Sequence, residues 1–272
     1  MLIAFITSLS IAMIFTETEH HQRNQKDSIE TTLFERERLP LYQEDRGYGE
    51  IIDDDWVLLW HETFEYLDKN KWNVIEQGDN YNHELQYYLP QNVQIVDSTL
   101  EISAKEEMYK SHNYTSGKLT TQDKFTIEYG KIEVTLRVSH ADGTFPAVWL
   151  LPESGDTLPE VDIYESIGRY PAAVYYVNHW IEDNKQKRSY ASHHLEDPYA
   201  SHTYAIEWSK DEIKWLIDGE HIFTSTEGIP HEPMYLVINL AIGGTWAKDP
   251  SEDTLFPLSM IVEEVKFMKR RD

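Results

Sequence analysis

Across 272 residues the chain sets 48 Asp and Glu against 24 Lys and Arg, a formal charge of −24 that repels phosphate backbones and anionic lipid and so argues against nucleic acid as a partner. Cysteine is absent, which removes disulfides, thiolate zinc sites and a cysteine nucleophile. Aromatic residues make up 12%, with 8 Trp and 17 Tyr, more than a core alone requires, so some of these rings are expected to face a ligand.

In chain order, residues 1–16 open with the apolar run MLIAFITSLSIAMIF, of signal-peptide length but without a basic leader, and read as a signal peptide or an N-terminal anchor. Export to the outside of the cell, or to its surface, is the expectation. Residues 17–55 are charged, poor in large apolar residues and end in Asp53-Asp54-Asp55; they read as an acidic linker. From Trp56 to the C-terminus the texture changes to short runs of alternating apolar and polar residues separated by turn signals, so 56–272 is assigned as one domain of antiparallel strands. Strands are predicted at 92–102, with a turn at Asp97-Ser98, and at 129–138, 203–208, 213–217, 234–241 and 260–268. Asp218-Gly219 is a two-residue hairpin signal, because glycine accepts positive φ. Residues 67–72 are expected to form one helical turn, and His193-His194 an exposed loop. None of the 12 histidines falls in a metal-ligand spacing.

The stretch that asks for chemistry is LPEVDIYESIG, residues 158–168, where Glu160, Asp162 and Glu165 crowd into a β-forming segment. On a regular strand Glu160, Asp162 and Tyr164 share a face and Glu165 points away. One bulge between Asp162 and Glu165 restores the parity and turns all three carboxylates into one cleft. Crowded acids raise one another's pKa, a penalty a purely structural strand would avoid. A pair of carboxyl groups, one ionised and one protonated, is what retaining glycoside hydrolysis uses. A random E-x-D-x-x-E match is more often a solvated strand face.

EVDIYE resembles the active-site signature of glycoside hydrolase family 16, in the bulged form found in laminarinases. The resemblance extends through WVLLWHETFEYLDKNKWN (56–73), NHELQYYLPQNVQI (82–95), YTSGKLTTQDKF, YGKIEVTLRV, FPAVWLLPES, HTYAIEWSKDEIKWLIDG and LVINLAIGGTW, in the family's order. It implies an all-β fold, a β-jelly-roll sandwich of two curved antiparallel sheets with a polysaccharide on the concave face. It implies Glu160 as nucleophile, Glu165 as general acid and then base, and Asp162 as hydrogen-bond partner of Glu160. Asn82, Lys118, Trp149, His179, Asn239 and Trp246 match the family's substrate-binding positions. Lys118 stands where arginine is commoner, Phe145 where tryptophan is usual, and Tyr175-Tyr176 replace smaller residues, so the subsites are expected to differ. The chemistry requires no cofactor; a structural calcium near Glu263 or Glu264 is a further expectation of the resemblance. The expected partner is a β-glucan, cut at internal β-1,3 bonds, with no protein partner and a monomeric state. The alternatives are an agarase- or carrageenase-type galactan hydrolase and a non-catalytic β-glucan-binding protein.

Overall fold

The period-two pattern is carried out literally in β8 (Gly130–Val138), which buries every second residue from Gly130 to Val138 against the core. The computed structural model describes residues 55–271; the expectations for 1–16 and for most of 17–55 lie outside the described residues. Among the described residues sixteen further strands join β8. One sheet has ten strands: β15 (Glu220–Ser225), β14 (Ile213–Ile217), β13 (His202–Trp208), β8, β17 (Leu258–Arg270), β5 (Thr99–Tyr109), β6 (His112–Ser116) and β3 (Gln86–Tyr88) in spatial order, with β1 (Trp56–Glu62) also paired to β17 and β4 (Val93–Val96) to β5. The other has seven: β12 (Lys185–His194), β11 (Ala173–Glu182), β10 (Glu160–Ser166), β9 (Thr144–Pro152), β16 (Met234–Ile242), β7 (Lys118–Thr120) and β2 (Asn73–Val74). Apart from the parallel pair β3 and β6, the pairings are antiparallel, and the arrangement is the expected β-jelly-roll sandwich.

The core lies between the sheets. Val161, Ile163 and Tyr164 face it from β10, Leu236, Ile238 and Leu240 from β16, and Ile132, Trp215 and Phe267 from the opposite side. All nine residues of β16 are buried, because one face of this strand meets the core and the other floors a cleft. The Asp97-Ser98 turn between β4 and β5 and the Asp218-Gly219 turn between β14 and β15 form where predicted, with positive φ at all four residues.

One local expectation holds and one changes. Residues 67–72 make the single turn expected, closed by the Lys71 and Trp72 amides on the Asp68 carbonyl. His193 and His194 end β12, where they pair with Val174 and Ala173. A strand whose two faces are both polar carries no hydrophobic alternation to reveal it.

Candidate active site

The bulge exists and does what the spacing requires. Against β11, Asp162 lies opposite Val177 and Glu165 opposite Tyr175; against β9, Asp162 lies opposite Trp149 and Tyr164 already opposite Val148. The extra residue therefore falls just after Asp162 on both edges of β10. Ile163 and Tyr164 both turn into the core, where the Tyr164 hydroxyl meets Ser166 Oγ at 2.8 Å. Glu160, Asp162 and Glu165 are left together in the cleft, which has a volume of about 580 Å³.

Register lays out the cleft floor in rows across the seven-stranded sheet. One row runs Lys118, Asn239, Ala147, Glu165, Tyr175; the next Trp149, Asp162, Val177, Tyr190; a third Glu160, His179, Arg188. Asn82 and Trp246 line the cleft from outside the strands. All six residues predicted to bind substrate thus line the same cleft as the three carboxylates. Trp149 Nε1 donates to Asn239 Oδ1 at 2.8 Å and Asn239 Nδ2 to the Tyr88 hydroxyl at 3.1 Å, which fixes the Trp149 ring at the cleft wall. Trp246 sits in a four-residue helix, α1 (Gly244–Ala247), entered through two glycines at positive φ, Gly243 and Gly244. A Cβ on Gly243 would lie 2.5 Å from Leu85 Cγ, so this sharp exit from β16 requires glycine. The exit carries the Trp246 ring edge-to-face onto Phe145 at 5.2 Å and Tyr175 at 4.8 Å. Two of the departures noted in the sequence, Phe145 and Tyr175, are therefore the residues that cradle this ring, while Tyr176 is buried in the core.

Burial raises the pKa of all three acids. Glu160 is pushed up to about 7 by burial, and Glu165 up to about 8 by burial and by the charge of Glu160. Asp162 is raised well above the ordinary carboxylate range, by burial first and then by Glu165 and Glu160. Its Oδ2 is buried without a hydrogen-bond partner among protein groups, as is His179 Nδ1. His179 Nε2 lies 3.7 Å from Asp162 and 3.8 Å from Glu160, and burial together with Arg188 lowers its pKa, so the ring is neutral. At the other end of the cleft, burial raises Glu84 and lowers Lys118. The cleft can therefore offer protonated and ionised carboxyls side by side at neutral pH. The donor atoms of Glu160, Asp162 and His179 also lie within 4.8 Å of one another, close enough to share a cation.

A sequence profile described as glycosyl hydrolases family 16 matches residues 77–255, a span that contains the whole carboxylate cluster. The chain belongs to glycosyl hydrolase family 16. It is a glycoside hydrolase. It is 31% identical over 241 residues to a beta-glucanase of Rhodothermus marinus, covering 78% of this chain and 84% of that protein. It is 29% identical to glucan endo-1,3-beta-glucosidase A1 of Niallia circulans, covering 84% of this chain but 40% of that longer protein. Among solved structures, the laminarinase catalytic domain of Thermotoga maritima aligns with a TM-score of 0.74 at 28% identity, over 80% of this chain and 100% of that one.

The calcium that family resemblance suggested does not fit the side chains found at its expected place. Glu263 accepts from Arg137 Nη1 at 2.7 Å; Glu264 meets Lys266 Nζ at 2.8 Å and His61 Nε2 at 2.9 Å. Both carboxylates are engaged by cationic partners, a poor setting for a dication.

Cleft residues that the sequence reading missed include Glu84 and Tyr88 beside Asn82, and Gln186, Arg188 and Tyr190 on β12. The last three recur at every second position, as do Asn82 and Glu84, which was the available signal. On β12 no apolar partners marked the alternation.

Proposed function

We propose that this family-16 glycoside hydrolase cleaves internal β-1,3-glucosidic bonds of laminarin-type β-glucans, with mixed-linkage β-1,3-1,4-glucans as a further substrate, and with retention of anomeric configuration. The observation that carries the reading is the bulge after Asp162, which gathers Glu160, Asp162 and Glu165 in one aromatic-lined cleft. In this reading Glu160, the readier of the two glutamates to ionise, attacks the anomeric carbon and forms a glycosyl-enzyme ester. Glu165 protonates the departing glycosidic oxygen and then takes a proton from the water that hydrolyses the ester. In this reading Asp162, its carboxyl raised by burial, shares a hydrogen bond with Glu160 and helps hold the pair in complementary protonation states. Trp246 and Trp149 stack on sugar faces, and Asn82, Lys118, His179 and Asn239 bond to hydroxyls. The glucanase relatives favour a glucan over a galactan.

The test is reducing-sugar release by the wild type and Glu160→Ala on laminarin, barley mixed-linkage glucan, agarose and carrageenan. Release from laminarin, lost in the variant, is expected. Cleavage of agarose or carrageenan alone overturns the glucan assignment, and binding without release on every polysaccharide makes the protein a glucan-binding module. The reading includes export, supported by the apolar run at residues 1–16. Cell fractionation is expected to find the protein in the medium or on the cell surface, and a wholly internal pool contradicts export.

A further inference from the structure

Trp215 is fully buried on β14, in the ten-stranded sheet, across the core from the cleft. Its indole Nε1 nevertheless donates to the main-chain carbonyl of Asp162 at 2.7 Å. The acceptor belongs to the residue at which the pairing of β10 breaks toward both β9 and β11. A bulge disrupts the ladder locally, and a buried carbonyl without a donor is strongly disfavoured. The inward side chains of β10 here are Val161, Ile163 and Tyr164; the first two have no polar atom, and the Tyr164 hydroxyl is engaged with Ser166. The donor therefore comes from the opposite sheet, and it grips the backbone of the central carboxylate of the three.

We propose that Trp215 is a positioning residue for the active site: its indole N–H pins the bulge from behind and so fixes Glu160, Asp162 and Glu165 relative to one another. The proposal rests on the reading of those three as the catalytic groups. Substrate contacts come instead from β7, β9, β11, β16 and the segments at Asn82 and Trp246, which Trp215 does not touch through this bond. Loosening the bulge is thus expected to impair turnover and spare binding. It also lets the carboxylates part, which weakens the charge of Glu160 on Glu165 and moves the alkaline limb of the rate profile to lower pH. The other charged or titratable side chains around the cleft, Glu84, Lys118, His179 and Arg188, stand on separate elements and keep their places.

The experiment compares Trp215→Phe, and a protein carrying 3-benzothienylalanine at 215, with wild type and Phe223→Leu on laminarin. The analogue keeps the shape of the ring and replaces its N–H with sulfur, so it keeps the test valid if the phenylalanine variant fails to fold. The half-buried Phe223 ring packs tilted against Trp215 at 5.2 Å, makes no hydrogen bond to β10, and controls for lost packing. Removing the N–H is expected to lower kcat by about tenfold to a hundredfold with KM within about twofold, and to shift the alkaline limb downward. Phe223→Leu is expected to lower Tm while keeping the wild-type kcat and pH limbs. An analogue protein with wild-type kcat and pH profile, or a Phe223→Leu protein with the same loss of kcat, overturns the proposal. A wild type that cleaves none of the four polysaccharides overturns the functional reading first, and the proposal with it.

Discussion

Two strands of this sandwich, β10 and β17, each combine a bulge with neighbouring acidic residues, and their carboxylates meet opposite fates. In β17 the register slips between Val262 and Glu264, and there Glu263 and Glu264 find Arg137, Lys266 and His61. Burial pushes Glu264 up, but the bonds from Lys266 and His61 outweigh it and hold its carboxyl below the usual range. In β10 the slip follows Asp162, and among the described residues no Lys or Arg lies within ion-pair distance of Glu160, Asp162 or Glu165; Glu160 and Asp162 face instead a neutral His179 at 3.7–3.8 Å. A bulge beside acids is a common arrangement. Reactivity follows from withholding the counter-charge.

The comparison breaks first on activity. Glu160→Gln is expected to lower kcat on laminarin by about a thousandfold or more, whereas Glu263→Gln, the same change on the other bulged strand, leaves turnover at the wild-type rate. Equal losses measured by reducing-sugar assay would erase the distinction. Glu165→Ala separates the two roles within β10: hydrolysis of an activated aryl glycoside is expected to be slow and then restored about tenfold to a hundredfold by azide, with a glycosyl azide of retained configuration seen by proton NMR. Failure of azide to restore turnover removes Glu165 from the acid/base role.

Next comes pH. Because Glu160 must be ionised and Glu165 protonated, kcat/KM is expected to rise as pH climbs through about 7 and to fall as it climbs through about 8, the two limbs belonging to the coupled pair. A flat profile between pH 5 and 9 contradicts this assignment.

The smallest effect is the sharpest, since it differs in sign. The folded-state pKa of Glu165 is raised from the ordinary 4.5 to about 8, so its contribution to stability is full below about 4.5 and is lost as pH rises through about 8. Glu264 is lowered, so its contribution is present above its unfolded pKa and is lost as pH falls through the folded one. At pH 9, Glu165→Gln is therefore expected to raise Tm by about 2–4 °C. Glu264→Gln is expected to lower stability by under about 1 kcal/mol, as fits a partly exposed pair. Thermal unfolding of both variants at pH 5 and pH 9 checks the two signs together.

The sequence made the bulge legible because a strand has only two faces: three acids at positions 160, 162 and 165 cannot share one without an inserted residue. It did not reveal that Tyr164 would turn inward with Ile163, since parity alone does not say where the extra residue sits. Lys118, Trp149 and Asn239 could be placed in the cleft by resemblance, and register then set two of them side by side in one row. Arg188 and Tyr190 escaped notice because β12 is an edge strand with solvent on much of both faces, so apolar alternation never marked which side looked inward. The Trp215 bond was invisible for another reason. It joins residues 53 positions apart across the core, and nothing local in either segment encodes the other.

The position of β17 has a consequence in time. It lies between β8 on one edge and β5 and β1 on the other, so the centre of the ten-stranded sheet is filled by the last of the described strands in chain order. Until Leu258–Arg270 has emerged, the inner edges of β8 and β5 stay unpaired and Trp215, in the same sheet, has no finished wall from which to hold Asp162. The cleft is therefore expected to assemble only once β17 has been made and has paired with β8 and β5.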